Sequence, residues 1–210
     1  MALKIIFMGT PDFAVPILKS INESKHNILE VYTQPPKKKN RGQKINNSPV
    51  HQYSNKTNLK VRNPDTLNSD EEVNHLLHLK PDIVVVVAYG KILPTKLLNL
   101  KNILFINIHA SLLPKWRGAA PIQRSIIALD KETGISIMKI ISKLDAGPVM
   151  LVKKVKINKE TNFEKLSQEL SLLGSKMILD SLDLLEKDKA KFLPQNESEV
   201  TYAKKINKEE

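Results

Sequence analysis

The chain has 210 residues, enough for one domain with an appendage, and its 41% hydrophobic and 26% charged residues exclude wholesale disorder. It has no cysteine, which excludes disulfides, thiolate zinc sites and a cysteine nucleophile. Lys plus Arg number 33 against 22 for Asp plus Glu, a formal charge of +11, yet the only arginines are Arg41, Arg62, Arg117 and Arg124. Bulk positive charge points to a polyanionic partner such as nucleic acid. The scatter of lysine along the whole chain reads instead as compositional background. The longest apolar run, Ile83 to Ala88, is far short of the roughly 20 residues of a membrane span. The first apolar segment carries no basic leader, so no membrane association and a cytoplasmic location are expected.

Residues 3–9 form an apolar run ending in glycine, followed by Thr10-Pro11-Asp12; this predicts a buried strand, a turn and a helix over about 11–22. Residues 28–33 form a second strand. Residues 34–49 hold three prolines around Lys37-Lys38-Lys39-Asn40-Arg41-Gly42 and show no apolar periodicity, which predicts a long basic loop. Ser48-Pro49 opens a short helix, 59–61 is a brief strand, and the acidic run Ser69-Asp70-Glu71-Glu72 begins a helix over 70–79. Ile83–Val87 is five β-branched residues in a row, as in a strand buried on both faces of a parallel sheet.

Further strands are predicted at 103–109, 134–140 and 150–157, the last near an edge because of its outward lysines. A helix is predicted at 121–129. Residues 162–187 carry apolar side chains at helical spacing (Phe163, Leu166, Leu170, Leu173, Met177, Leu184) and form one long amphipathic helix with its leucines and Met177 in the core. Alternating strands and helices predict an α/β, Rossmann-like fold with a largely parallel sheet flanked by helices. Ligands in such folds sit at the carboxyl ends of strands, here near Gly9, 88–90 and 107–114. The polar stretch 191–210 reads as a linker or tail.

Gly9-Thr10-Pro11-Asp12 stands where a dinucleotide-binding turn would be, but one glycine and a proline are not G-x-G-x-x-G, so a nicotinamide enzyme is disfavoured. In a strand, residues two apart point the same way. Asn107-Ile108-His109 therefore projects an amide and an imidazole together at a strand end. An amide donor beside an imidazole suits stabilising an oxyanion while moving a proton, as acyl transfer requires. For an isolated N-x-H the plainer alternative, a histidine bonded to nearby backbone, is favoured. Ser111-Leu112-Leu113-Pro114 and Trp116-Arg117-Gly118-Ala119-Ala120-Pro121 shift that balance by placing a rigid loop over the same strand end. Asp145, in the turn Leu144-Asp145-Ala146-Gly147-Pro148, could reach the imidazole and hold its useful tautomer.

Gly9-Thr10-Pro11-Asp12-Phe13-Ala14, Thr33-Gln34-Pro35, Ala88-Tyr89-Gly90-Lys91-Ile92-Leu93-Pro94, the run from Asn107 to Pro114 and residues 116–123 together resemble the methionyl-tRNA formyltransferase family in order and spacing, over essentially the whole chain. The Asn-x-His and Asp set marks the wider folate-dependent formyltransferases. The Gly-Ala-Ala-Pro-Ile stretch and the basic loop narrow the resemblance to the tRNA-modifying branch. It implies transfer of the formyl group of 10-formyltetrahydrofolate, as co-substrate and without a metal, to the α-amino group of methionine on initiator tRNA. Asn107 and His109 would stabilise the oxyanion and assist proton transfer, with Asp145 orienting His109 and favouring its charged form. Ser111, Leu112, Leu113 and Pro114 would bind the folate, with Tyr89 and Gly90 bordering the same pocket. Lys37, Lys38, Lys39, Arg41 and Lys44 would meet the tRNA acceptor arm, Arg41 making the specific contact.

The resemblance makes 1–190 the catalytic domain, with its tRNA-binding loop at 34–49. The family's further C-terminal tRNA-binding domain, of about a hundred residues, would be absent, and a monomer is expected. The turn before Asp145 departs from the family's glycine-rich form, reading Ile141-Ser142-Lys143. The alternatives are a sibling formyltransferase acting on an amino sugar or ribonucleotide, and a non-catalytic tRNA-binding relative; the basic loop counts against the first and the Asn107, His109 and Asp145 set against the second. His75 and His78 are read as ordinary helix histidines. His26 and His51 show no evident partners. Trp116 fits base or pterin stacking and simple packing equally, and Arg117 and Arg124 fit substrate phosphates or loop anchoring equally.

Overall fold

The computed structural model describes residues 2–39, 44–207 and 209. In chain order the elements are β1 (Lys4–Gly9), a 3-10 turn at Asp12–Ala14, α1 (Val15–Asn22), β2 (Asn27–Tyr32), β3 (Lys37–Lys39), β4 (Lys44–Asn46), α2 (Pro49–Lys56), β5 (Val61–Arg62) and α3 (Asp70–Leu79). They continue with β6 (Ile83–Val87), α4 (Thr95–Leu98), β7 (Leu104–His109), β8 (Arg117–Gly118), α5 (Pro121–Ile127), β9 (Glu132–Lys139) and β10 (Val149–Lys156). Last come α6 (Phe163–Glu186), a 3-10 turn at Glu197–Glu199 and β11 (Tyr202–Ala203). The main sheet is seven-stranded in the order β10-β9-β7-β6-β1-β2-β5 and mostly parallel. This is the expected α/β architecture. The chain divides into two compact units, 1–106 and 107–210.

In the first unit β1 pairs in parallel with both β2 and β6, and β2 with β5. Its centre is apolar by sequence: Ile5, Ile6, Phe7 and Met8 are wholly buried, and every residue of β6 is buried. A strand enclosed on both faces tolerates no polar alternation, and each such aliphatic side chain contributes about 2 kcal/mol by leaving water. Helix starts follow their caps. Ser48 Oγ accepts from His51 N–H (3.0 Å) ahead of Pro49, and Ser69 Oγ accepts from Glu72 N–H (3.3 Å) ahead of three acidic residues in the first turn of α3. Arg62 on β5 holds Glu72 at 2.6–3.0 Å, pinning that helix start to the edge strand. His26 has a partner after all: its Nδ1 accepts from Leu3 N–H at 3.2 Å. His75 Nε2 lies 2.7 Å from Glu30 Oε2.

The basic stretch expected as an irregular loop contains a β-hairpin. Lys37, Lys38 and Lys39 pair antiparallel with Asn46, Ile45 and Lys44. Backbone pairing closed this ribbon, and its lysine-rich strands lack the period-2 apolar signal by which strands are read from sequence. Arg41, between the two strands in sequence, lies outside the described residues.

In the second unit β10 runs antiparallel to β9 at the sheet edge, with Lys153, Lys154 and Lys156 exposed as expected. Asn162 caps α6 by accepting from Lys165 N–H at 2.9 Å. The helix buries Leu166, Leu170, Met177, Ile178 and Leu182. Phe163 is 43% exposed because it occupies the first helical position, ahead of the turns that pack. The segment read as a linker or tail is tied down. Leu193 bridges Val149 through paired backbone bonds of 2.8 and 2.9 Å, and β11 pairs in parallel with β8, Tyr202 opposite Arg117 and Ala203 opposite Gly118. Polar composition marks a segment as exposed; it says nothing of backbone pairing.

Candidate active site

Asn107 and His109 lie two apart at the carboxyl end of β7, so both side chains leave the same face of the strand. His109 is only 5% exposed. Its Nε2 is 2.8 Å from the backbone oxygen of Trp116. A carbonyl oxygen only accepts, so Nε2 carries a proton and donates it there. Its Nδ1 faces Asp145, with Oδ2 at 3.7 Å, near enough for charge interaction and too far for a direct hydrogen bond. Asp145 Oδ1 lies 3.5 Å from Asn107 Nδ2, at the outer limit of hydrogen bonding, and Oδ2 accepts Gly118 N–H at 2.8 Å. The three side chains singled out in the sequence therefore meet, although Asp145 is 38 residues from Asn107.

The geometry is held by unusual backbone. Trp116 (φ +61°) and Asp145 (φ +44°) both occupy the left-handed region, which costs a non-glycine residue of the order of 1 kcal/mol and so needs support from its surroundings. At Gly147 a Cβ would fall 1.7 Å from the Lys139 carbonyl oxygen, so only glycine lets this turn close on β9. An imidazole anchored through one nitrogen, with the other facing a carboxylate and an amide, can stabilise a developing oxyanion and pass a proton.

Ser111 is fully buried and its hydroxyl donates to Lys115 O at 2.6 Å, while Ser136 Oγ donates to Ser111 O (2.7 Å) and accepts from Leu113 N–H (3.1 Å). The 111–114 stretch is thus a braced turn whose serine hydroxyl is spent internally. Leu112, Leu113 and Pro114 remain partly accessible. In the first unit, the three motifs that end β1, β2 and β6 come together. The Tyr89 carbonyl accepts from Thr10 Oγ1 (2.8 Å) and Gln34 Nε2 (3.1 Å). The Tyr89 ring is 1% exposed, and burial, with Glu72's charge adding to it, pushes the phenol up to about 12. Tyr89 therefore presents backbone at this strand end and keeps its side chain inside. At Gly90 (φ +81°) a Cβ would strike Gln34 Nε2 at 2.2 Å.

Trp116 neither stacks freely nor merely packs: its Nε1 donates to Asp130 Oδ2 at 2.7 Å, and the ring lines a shallow cavity of about 310 Å³ with Arg124 and Tyr202. Arg124 donates to the backbone oxygen of Lys204 at 3.1 Å. Arg117, undecided in the sequence, is an anchor. It is completely buried, donates from Nε (3.0 Å) and Nη2 (2.8 Å) to Gln195 Oε1, and reaches Glu197 Oε1 at 2.8 Å. Gln195 and Glu197 were missed because nothing in a polar segment some 80 residues downstream marks them. The available signal was Arg117 itself, one of four arginines in a lysine-rich chain, standing where a planar fork is needed.

A family model described as formyl transferase matches residues 3–182. The methionyl-tRNA formyltransferase of Pelagibacter ubique (strain HTCC1062) is 55% identical over 100% of this chain and 68% of that protein. The methionyl-tRNA formyltransferase of Coxiella burnetii (strain RSA 331 / Henzerling II) is 47% identical over 100% and 67%. Among solved structures, the phosphoribosylglycinamide formyltransferase from Bacillus halodurans aligns with a TM-score of 0.73 at 23% identity, covering 88% of this chain and 96% of that one. A sugar 3N-formyl transferase, determined with dTDP and 5-N-formyl-THF, aligns at 0.73 and 18%, covering 97% and 70%. At such identities the structures share the fold alone.

Proposed function

The chain belongs to the formyl transferase family, and from that premise we propose that it transfers the formyl group of 10-formyltetrahydrofolate to the α-amino group of methionyl-initiator tRNA. Whole-chain identity of 55% to a methionyl-tRNA formyltransferase supports the substrate pair, and the meeting of Asn107, His109 and Asp145 is the observation that carries the chemistry. The neutral amine nitrogen attacks the formyl carbon, a C–N bond forms, and the carbonyl electron pair moves onto oxygen. Asn107 Nδ2–H donates to that oxyanion, and His109, anchored through Nε2, works through Nδ1. Collapse breaks the bond from the formyl carbon to N10 of the folate, and the proton shed by the amine passes to N10, with His109 within reach as relay. Asp145 orients the ring and balances its positive charge. Asp145 acts on both counts only while its carboxylate stays ionised.

Leu112, Leu113, Pro114 and the backbone at Tyr89 and Gly90 are the proposed folate contacts, with Ser111 bracing the first group. The lysines at 37–39 and 44 and Arg41 supply salt-sensitive attraction for tRNA phosphates. Residues 1–190 serve as the catalytic domain. The reaction belongs beside translation, in the cytoplasm; no helix among the described residues is long and apolar enough to cross a membrane. The test is formyl transfer from the folate donor to methionyl-tRNA, to a nucleotide-linked amino sugar and to glycinamide ribonucleotide. Transfer to methionyl-tRNA alone is expected; transfer to either small amine in its place overturns the assignment.

A further inference from the structure

Asp145 is held from two sides, by the Gly118 backbone and by Gln195, the side chain that Arg117 grips. Gly118, next to Arg117 in β8, donates its N–H to the Asp145 carboxylate at 2.8 Å. Arg117 itself grips Gln195 Oε1, and the Gln195 amide donates both protons to the turn, to Asp145 O at 2.8 Å and Gly147 O at 2.7 Å. The orientation of that amide is unambiguous: a guanidinium only donates, so oxygen faces Arg117 and nitrogen faces the two carbonyls. Arg117 is wholly buried, and its remaining reach goes to Glu197, which also takes Lys143 Nζ at 2.7 Å. Lys143 ends the Ile141-Ser142-Lys143 stretch by which the turn departs from the glycine-rich form, and its charge is met by the same strap. The strap is fastened at both ends, by Leu193 on Val149 and by β11 on β8.

We propose that Gln195 is a positioning residue for Asp145, holding the left-handed turn that aims the carboxylate at His109, so that the strap 193–203 is part of the catalytic machinery. This rests on the formyl-transfer reading, and it extends the working unit beyond the stretch 3–182 matched by the family model. Two donated bonds on either side of Ala146 support a backbone conformation that costs a non-glycine residue free energy. Without them the turn relaxes toward φ < 0 and swings the carboxylate away from Nδ1. A shift of about 1 Å at such a group costs up to about a hundredfold in rate.

The test uses Gln195→Leu, which removes both sets of bonds, and Gln195→Glu, which keeps an acceptor for Arg117 and turns the other oxygen against the two carbonyls. In each, kcat for formylation falls on the order of tenfold to a hundredfold while KM for folate and for methionyl-tRNA stays within about twofold. In an Asp145→Asn background the Gln195 substitution adds no further loss in single-turnover assays. The ¹⁵N shifts of the His109 ring move toward those of Asp145→Asn, a readout independent of turnover. Equal losses in both backgrounds, or a lowered melting temperature with unchanged kcat and unchanged His109 shifts, overturn the proposal and leave the strap a mere staple. A wild-type chain that does not formylate methionyl-tRNA overturns the functional reading instead, and the ring shifts still decide whether Gln195 positions Asp145.

Discussion

Arg62 in the first unit and Arg117 in the second each hold a glutamate, with burial reversed. In the first pair the acid is the hidden partner: the Glu72 side chain is 5% exposed against 26% for Arg62. In the second the guanidinium is hidden, at 0%, and Glu197 is 57% exposed. A buried carboxylate accepts from few directions, so Glu72 needs Arg62 and the pair serves one purpose, fastening the start of α3 to β5. A buried guanidinium has five donors to place. Arg117 spreads them over Gln195 and Glu197 and thereby controls a neighbouring turn. The exposed ion pair with Glu197 adds little stability of its own, since solvent screens it. The value of the second knot is in geometry, that of the first in stability.

The largest expected effect tests the geometric side. Asp145→Asn keeps an acceptor for Gly118 N–H and a residue type at home at positive φ, so the melting temperature changes little. It removes the charge facing His109, and kcat falls on the order of a hundredfold or more in single-turnover formylation. A near-wild-type rate removes Asp145 from the mechanism. Next is Arg62→Ala, which strands the buried Glu72 and costs about 3 kcal/mol in urea unfolding, the low end for a broken buried pair because Arg62 is partly solvated. Its kcat at a temperature where it is folded stays that of the parent; a matching loss of kcat would erase the distinction between the two knots.

A third arginine offers a smaller, different effect. Arg41→Ala raises KM for methionyl-tRNA several-fold, leaves KM for folate unchanged, and lowers the log–log salt slope of tRNA binding by about 0.9, one phosphate contact. Equal changes in both KM values would assign Arg41 a global role. Glu197→Gln is the mildest. Hydrogen bonds from Arg117 and then Lys143 hold the Glu197 carboxyl down at about 2, against an ordinary 4.5. Its contribution to stability is therefore complete above pH 4.5 and lost as pH falls through about 2. Acid unfolding of the wild type is accordingly steeper than that of Glu197→Gln between those values, with near coincidence of the two thermal midpoints at the acid end.

Much of the site was legible because it is local. Asn107 and His109 share a face by spacing alone, and the caps at Ser48, Ser69 and Asn162 announce their helices. The hairpin at 37–46 was illegible because lysine-rich strands show no apolar alternation. Tyr89 read as a pocket residue, while its ring went inward and left only backbone at the strand end. Gln195 carries no local pattern at all.

The amino-acid sequence by itself determined the α/β architecture, the family and the choice of Asn107, His109 and Asp145 as the candidate set, since periodicity and motif spacing are short-range properties of the chain. Only the tertiary structure decided what Arg117 does and that the last polar segment is a strap. Those contacts join residues 44 (Val149 and Leu193) to 85 (Arg117 and Tyr202) positions apart, and their partners are chosen by where the chain crosses itself, which no local spacing encodes.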